Sequence, residues 1–124
     1  SDLFEVYFSS FSLDFNLFEK PYLLKSLGLV SFFFTLERDN KVALEKLLSI
    51  FEIDYYKFNE AIEELHKREL VEIQYNHIRI SEQVMATYFF YIVFIRDNYL
   101  SFEKLLFNYF NGLALYNFFC FNWH

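Results

Sequence analysis

The feature that most constrains how this chain folds is a change of hydrophobic period at Leu70. Upstream, apolar residues recur every three or four positions: Leu23, Leu24, Leu27, Val30 and Phe34, then Leu44, Leu47, Leu48 and Phe51, then Phe58, Ala61, Ile62 and Leu65. That spacing lays one apolar stripe along each of three helices. From Leu70 the chain alternates instead, through Val71, Glu72, Ile73, Gln74 and Tyr75, and again through His77, Ile78, Arg79 and Ile80. Two short alternating runs around Asn76 predict a β-hairpin, with Val71, Ile73 and Tyr75 on one face and Ile78 and Ile80 together on theirs. The turn holds no Gly, so Asn76 or His77 is expected to take the left-handed backbone angles, which Asn tolerates best.

Local signals set the boundaries. Pro21 suits a first helical turn, and Glu19 before it favours the positive end of the helix, giving a first helix over residues 20–36. Gly28 inside it either weakens the helix or permits close packing. The polar group 37–41 leads to a second helix over residues 41–51. Asp54 then caps a third, running to about residue 69, whose outer face carries Lys57, Glu60, Glu63, Glu64 and Lys67. Ser81 is expected to cap a fourth helix reaching residue 95, apolar on nearly every side and therefore surrounded by protein. Asp97 and Asn98 break the chain, and Ser101 caps a last helix with Phe102, Leu105, Leu106, Tyr109 and Phe110 at helical spacing. Residues 1–18 show no sustained stripe and read as a strand or a short helix, with a break at 14–16. The organisation expected is an N-terminal segment, residues 1–18, and one winged-helix domain with a C-terminal helical extension, residues 19–124.

A chain of 124 residues is long enough for one domain with a real core. Its 19 Phe and 10 Tyr, against 2 Gly and 1 Pro, exclude a disordered or collagen-like chain. The net charge of -6 repels phosphate backbones at long range, which disfavours nucleic acid as a partner. The single Cys120 cannot form an internal disulfide, which fits a cytoplasmic location or simply a protein that needs no bridge. Ser1 reads as an internal boundary, with no leader pattern. The uncharged run 105–123 is about long enough to span a bilayer, but Asn108, Asn111, Asn117 and Asn122 would each need a partner in lipid. The run 84–95 is too short to span.

Three helices followed by a two-stranded hairpin is the order of a winged helix-turn-helix unit. The fold expected is therefore mainly α, with that core and additional C-terminal helices. In a DNA-binding member the third helix would present Arg, Lys, Asn or Gln to base edges. Here Lys57, Asn59 and Lys67 are offset by Glu60, Glu63 and Glu64. A transcriptional regulator is thus the alternative reading, with Asn59 and Arg79 as its DNA contacts.

The stretch from Leu44 onward, above all "RISEQVMATYFFY" at residues 79–91, the helix exit at 65–71 and "SFEKLL" at 101–106, resembles the winged-helix region that follows the nucleotide-binding core of bacterial STAND-type (AAA+-related) signal-transduction ATPases. With the first helix included, the resemblance covers about four fifths of the chain. It implies a regulatory or arm module that transmits nucleotide state to sensor or effector regions. It brings no nucleotide site with it. The chain has no GxxxxGK[ST] loop and its only glycines are Gly28 and Gly112, so no backbone cradle for phosphates can form.

Other chemistry is equally sparse. His66, His77, His124 and Cys120 lack zinc-ligand spacing, although Cys120 and His124 lie four apart. Glu60 with Glu63 or Glu64 forms carboxylate pairs, which on an outer helix face are solvated or paired with Lys67 or Arg68. Tyr88, Phe89, Phe90, Tyr91 and Phe94 fit core better than a ligand pocket. No cofactor, metal site or catalytic residue is expected. What remains is a non-enzymatic interaction module contacting a neighbouring domain or a second copy, with Tyr99, Tyr109, Tyr116, Phe119 and Trp123 as its interface.

Overall fold

A computed structural model describes Val6 and residues 17–109. After a 3₁₀ turn at Leu17–Glu19 come α1 (Pro21–Phe33), β1 (Thr35–Glu37), α2 (Lys41–Ile50), α3 (Tyr55–Lys67), β2 (Val71–Gln74) and β3 (His77–Ile80). Then α4 (Gln83–Phe90) runs on into a π-helical segment (Tyr91–Arg96), and α5 (Phe102–Lys104) into another (Leu105–Tyr109). The fold is mainly helical, with the winged-helix arrangement and C-terminal helices that the periodicity predicts. Pro21 stands in the first turn of α1, Asp54 accepts the Lys57 N–H at 3.0 Å, and Ser101 accepts that of Lys104 at 3.1 Å. Each cap satisfies a helix-end donor that has no partner inside the helix.

The first helix is shorter than its stripe suggests. Phe34 takes φ 65°, ending α1, and residues 35–37 form a strand instead of a further helical turn. β1 pairs antiparallel with β3, Leu36 facing Ile78, so the sheet has three strands in the order β1-β3-β2 rather than the two of a simple hairpin. Three residues are too few for alternation to outweigh the helical stripe running into them. The hairpin has the expected register, Val71 opposite Ile80 and Gln74 opposite His77, but its left-handed residue is Tyr75 at φ 58°, with His77 already in β3. Tyr75 is 90% exposed and so does not share the inner face with Val71 and Ile73.

With glycine scarce, other residues take the left-handed helix ends. At the close of α2 the Ile53 N–H reaches the Leu48 carbonyl and the Glu52 N–H that of Ser49, with Glu52 at φ 57°. α3 repeats this with Leu70 to Leu65, Glu69 to His66, and Glu69 at φ 63°. These are Schellman closures with glutamate in the place usually given to glycine, and the buried pairs Ile53 with Leu48 and Leu70 with Leu65 supply their hydrophobic contact.

Ser81 does not cap α4. Its hydroxyl donates to the Glu69 carbonyl at 3.0 Å and its N–H to that of Leu70 at 3.2 Å, closing the base of the wing, while Glu82 stands at the helix start without a side-chain cap. α1 lies at the centre, packed on α4, α3 and the sheet. Its Gly28 faces Val93 so closely that a Cβ there would sit 2.5 Å from three Val93 atoms. Tyr88, Phe89 and Phe94 are buried and Phe90 half-buried against them, as core, whereas Val84, Tyr91 and Ile95 are exposed, so α4 and its extension are not enclosed on every side. Among the described residues no helix is long and apolar enough to cross a membrane.

Candidate functional site

In a winged helix-turn-helix the surface that meets a partner is built from the outer face of α3, the start of α2 and the wing. Here Phe58, Ala61, Ile62 and Leu65 bury one side of α3, which by helical geometry turns Tyr56, Lys57, Glu60 and Glu63 outward. Asn40 caps α2 by accepting the Ala43 N–H at 3.0 Å and so fixes the direction of its first turn. Lys41, in that turn, donates to the Tyr56 hydroxyl at 3.3 Å and lies over the Tyr55 and Tyr56 rings, 5.1 and 5.3 Å from their centroids. The hydrogen bond to Tyr56, with the negative charge of Glu45 beside it, raises the Lys41 pKa above its usual value.

The arginines of this surface lie beside carboxylates of the same chain. Both terminal nitrogens of Arg38 lie 3.4 Å from the Glu63 carboxylate, and the Arg38 N–H donates to the Asn76 carbonyl at 2.7 Å, joining α3 to the wing. Arg68, at the C-terminal cap of α3, pairs with Glu64 at 3.1 Å, one of the pairings expected on this face. Arg79 stands 3.7 Å from Glu72, an ion pair too long for a hydrogen bond, and its guanidinium lies 5.8 Å from the Phe34 ring centroid. His77 approaches Glu37 at 3.3 Å. The Asn59 amide donates to the Tyr55 carbonyl of its own helix at 3.0 Å. Of the two residues named as DNA contacts, Asn59 gives its amide to the helix backbone, whereas Arg79 keeps the long ion pair with Glu72 and its Nε makes no hydrogen bond.

Between the start of α1 and α3 lies an open groove of about 460 Å³, lined by Lys20, Tyr22, Leu23, Lys57, Glu60 and neighbours. Burial, reinforced by the negative charges of Asp54 and Glu60, raises the Tyr22 pKa, and its enclosed hydroxyl makes no hydrogen bond. Lys57 extends over the Tyr22 ring at 5.8 Å. Among the described residues no three metal-ligating side chains converge.

Of the residues read as a protein interface, Tyr99 is half-buried against the core. The side chain of Tyr109, and Tyr116, Phe119, Trp123, Cys120 and His124, lie outside the described residues. Exposed apolar side chains also stand elsewhere: Val42 at 77% on α2, Tyr56 at 65% on α3 and Tyr75 on the wing tip, while Phe107 at 72% is exposed in the C-terminal segment itself. Tyr75 and Val42 carry no chemical motif, and only the placement of their elements reveals them. Compared with known protein families, curated proteins and solved structures, the chain matches none.

Proposed function

We propose that this chain is a non-catalytic winged-helix module that faces protein, serving as a regulatory or arm unit of a larger signal-transduction NTPase in the cytoplasm. The observation that carries the reading is the chemistry of the helix-turn-helix face. Its carboxylates Glu60 and Glu63 stand where phosphates would lie, its arginines Arg38, Arg68 and Arg79 pair with Glu63, Glu64 and Glu72, and its exposed large hydrophobic side chains are Val42, Tyr56 and Tyr75. A DNA-binding face needs the opposite, cations free to displace counterions from the duplex. Exposed aromatic and aliphatic groups rimmed by balanced charge suit a protein partner. The resemblance to the STAND winged-helix region supports the regulatory role, and nucleotide chemistry then belongs to residues other than these.

Fluorescence anisotropy with labelled duplex DNA at low salt tests the reading, because electrostatic affinity is greatest there. No binding is expected. Salt-sensitive binding that Arg79→Ala weakens would establish the DNA-binding regulator instead.

A further inference from the structure

We infer that the outer edge of β1, with the slot between β1 and α2, receives an extended peptide that adds a strand to the sheet and carries one apolar side chain next to a basic one. β1 is an edge strand, bonded to β3 on one side only. The direction of its backbone groups follows from one hydrogen bond. The Arg38 N–H points to β3, where it reaches the Asn76 carbonyl, so by the period of two Leu36 also points to β3 while Thr35 and Glu37 point away. The N–H and C=O of Thr35 and of Glu37 thus face outward from the sheet. Unpaired strand edges of this kind are templates for another strand.

Beside that edge the chain leaves a groove of about 270 Å³, with Phe33, Leu36, Ala43, Leu44 and Leu47 as its apolar lining and Thr35, Glu37 and Asn40 as its polar lining. A strand next to a helix with an apolar slot between them is the arrangement in which backbone bonding supplies affinity and the slot selects a side chain. Cross-strand geometry assigns the peptide's side chains. The residue opposite Leu36 shares its inward face and enters the slot, and its neighbours stand beside Thr35 and Glu37 on the outer face. The Glu37 carboxylate, which meets His77 at 3.3 Å on its β3 side, is still 65% exposed, so a Lys or Arg opposite Glu37 completes its pairing from the open side. This site rests on the reading of a protein-facing module and names where and how the partner sits.

The test uses the full chain, labelled with ¹⁵N, and a blocked pentapeptide, Thr-Lys-Val-Thr-Lys, as probe. Titration should shift the amide signals of Thr35 and Glu37 and slow their hydrogen exchange. Methylating the backbone nitrogens of the residues before and after valine should abolish the effect, since those N–H groups donate to β1 while valine's own points away. Ala43→Trp, at an exposed position of α2, fills the slot, and Glu37→Pro deletes an outward N–H without touching the ladder. Each should weaken the peptide by ~tenfold or more while far-UV circular dichroism stays unchanged. Equal binding to Ala43→Trp, equal binding of the methylated peptide, or no binding at all would overturn the slot. Shifts confined to α3 and the wing tip would overturn it too, yet leave the protein-facing module standing. Protection of Thr35 and Glu37 without peptide, lost on dilution, would assign the edge to a second copy of the chain and also overturn the proposal.

Discussion

Replacing Gly28 with Ala is the sharpest test of how α1 packs. On helix propensity alone the change should stabilise the protein by about 1 kcal/mol, since Gly in a helix interior is disfavoured by that amount against Ala. The packing says otherwise. The new methyl would stand 2.5 Å from Val93 Cβ and both of its Cγ atoms. Ordinary carbon contacts lie near 3.5 to 4.0 Å, so α1 and the π-helical segment must separate by about 1 Å. The crowding involves a Cβ fixed to the backbone, not the far end of a flexible side chain, so no rotamer change removes it. Overpacking of this sort costs about 3 kcal/mol, at the upper end of its usual range. Set against the propensity gain, the net loss is about 2 kcal/mol, a large share of the stability of a domain this size. Urea unfolding followed by circular dichroism should show a lower midpoint at unchanged slope. Val93→Ala, which deletes two of the three crowded atoms, should cost less in the Gly28→Ala background than alone, with a coupling of about 1 kcal/mol. A stabilised Gly28→Ala protein, or strict additivity with Val93→Ala, would refute the close approach of these two segments.

Two further changes probe the helix ends and the buried hydroxyl. Glu69→Gly should raise stability by about 1 kcal/mol, because φ 63° strains any residue with a Cβ; a lower urea midpoint would mean that the Glu69 side chain contributes more than the strain removes. Tyr22→Phe should leave neutral-pH stability unchanged or slightly higher, since the hydroxyl makes no hydrogen bond. The folded state keeps the raised Tyr22 proton longer than the unfolded chain does, so stability falls as pH rises above the ordinary tyrosine range. Urea midpoints measured across alkaline pH should fall less steeply in Tyr22→Phe, and an identical slope would remove Tyr22 from the linkage.

Periodicity and capping make most of the architecture legible in the sequence itself. The stripes of α1, α2 and α3, the Asp54 and Ser101 caps and the alternation from Val71 to Ile80 are local properties, and each fixes an element through its immediate neighbours. What escaped was what depends on residues far apart. β1 exists because Leu36 meets Ile78 across more than forty intervening residues, and no three-residue run announces that. The left-handed ends at Phe34, Glu52, Glu69 and Tyr75 carry no glycine or asparagine to mark them, because buried anchors such as Ile53 and Leu70 hold those conformations. Ser81 has the composition of a cap yet closes the wing, since Glu69 offers it a carbonyl that only the tertiary structure brings near.

The same division runs through the surface. Sequence alone placed the carboxylates Glu60 and Glu63 on the outer face of α3, because helical spacing determines which way a side chain turns. It could not show that Arg38 would reach across to Glu63, that Asn59 would fold back on Tyr55, or that Thr35 and Glu37 would leave their backbone groups unpaired beside a slot. Gly28 had two readings, a weak point or a place of close approach, and the position of Val93 decided between them. Local pattern determines elements, because short-range sterics and hydrogen bonds act along the chain. Which groups remain available to a partner is decided only when distant segments meet, because those contacts are what use the groups up or leave them exposed.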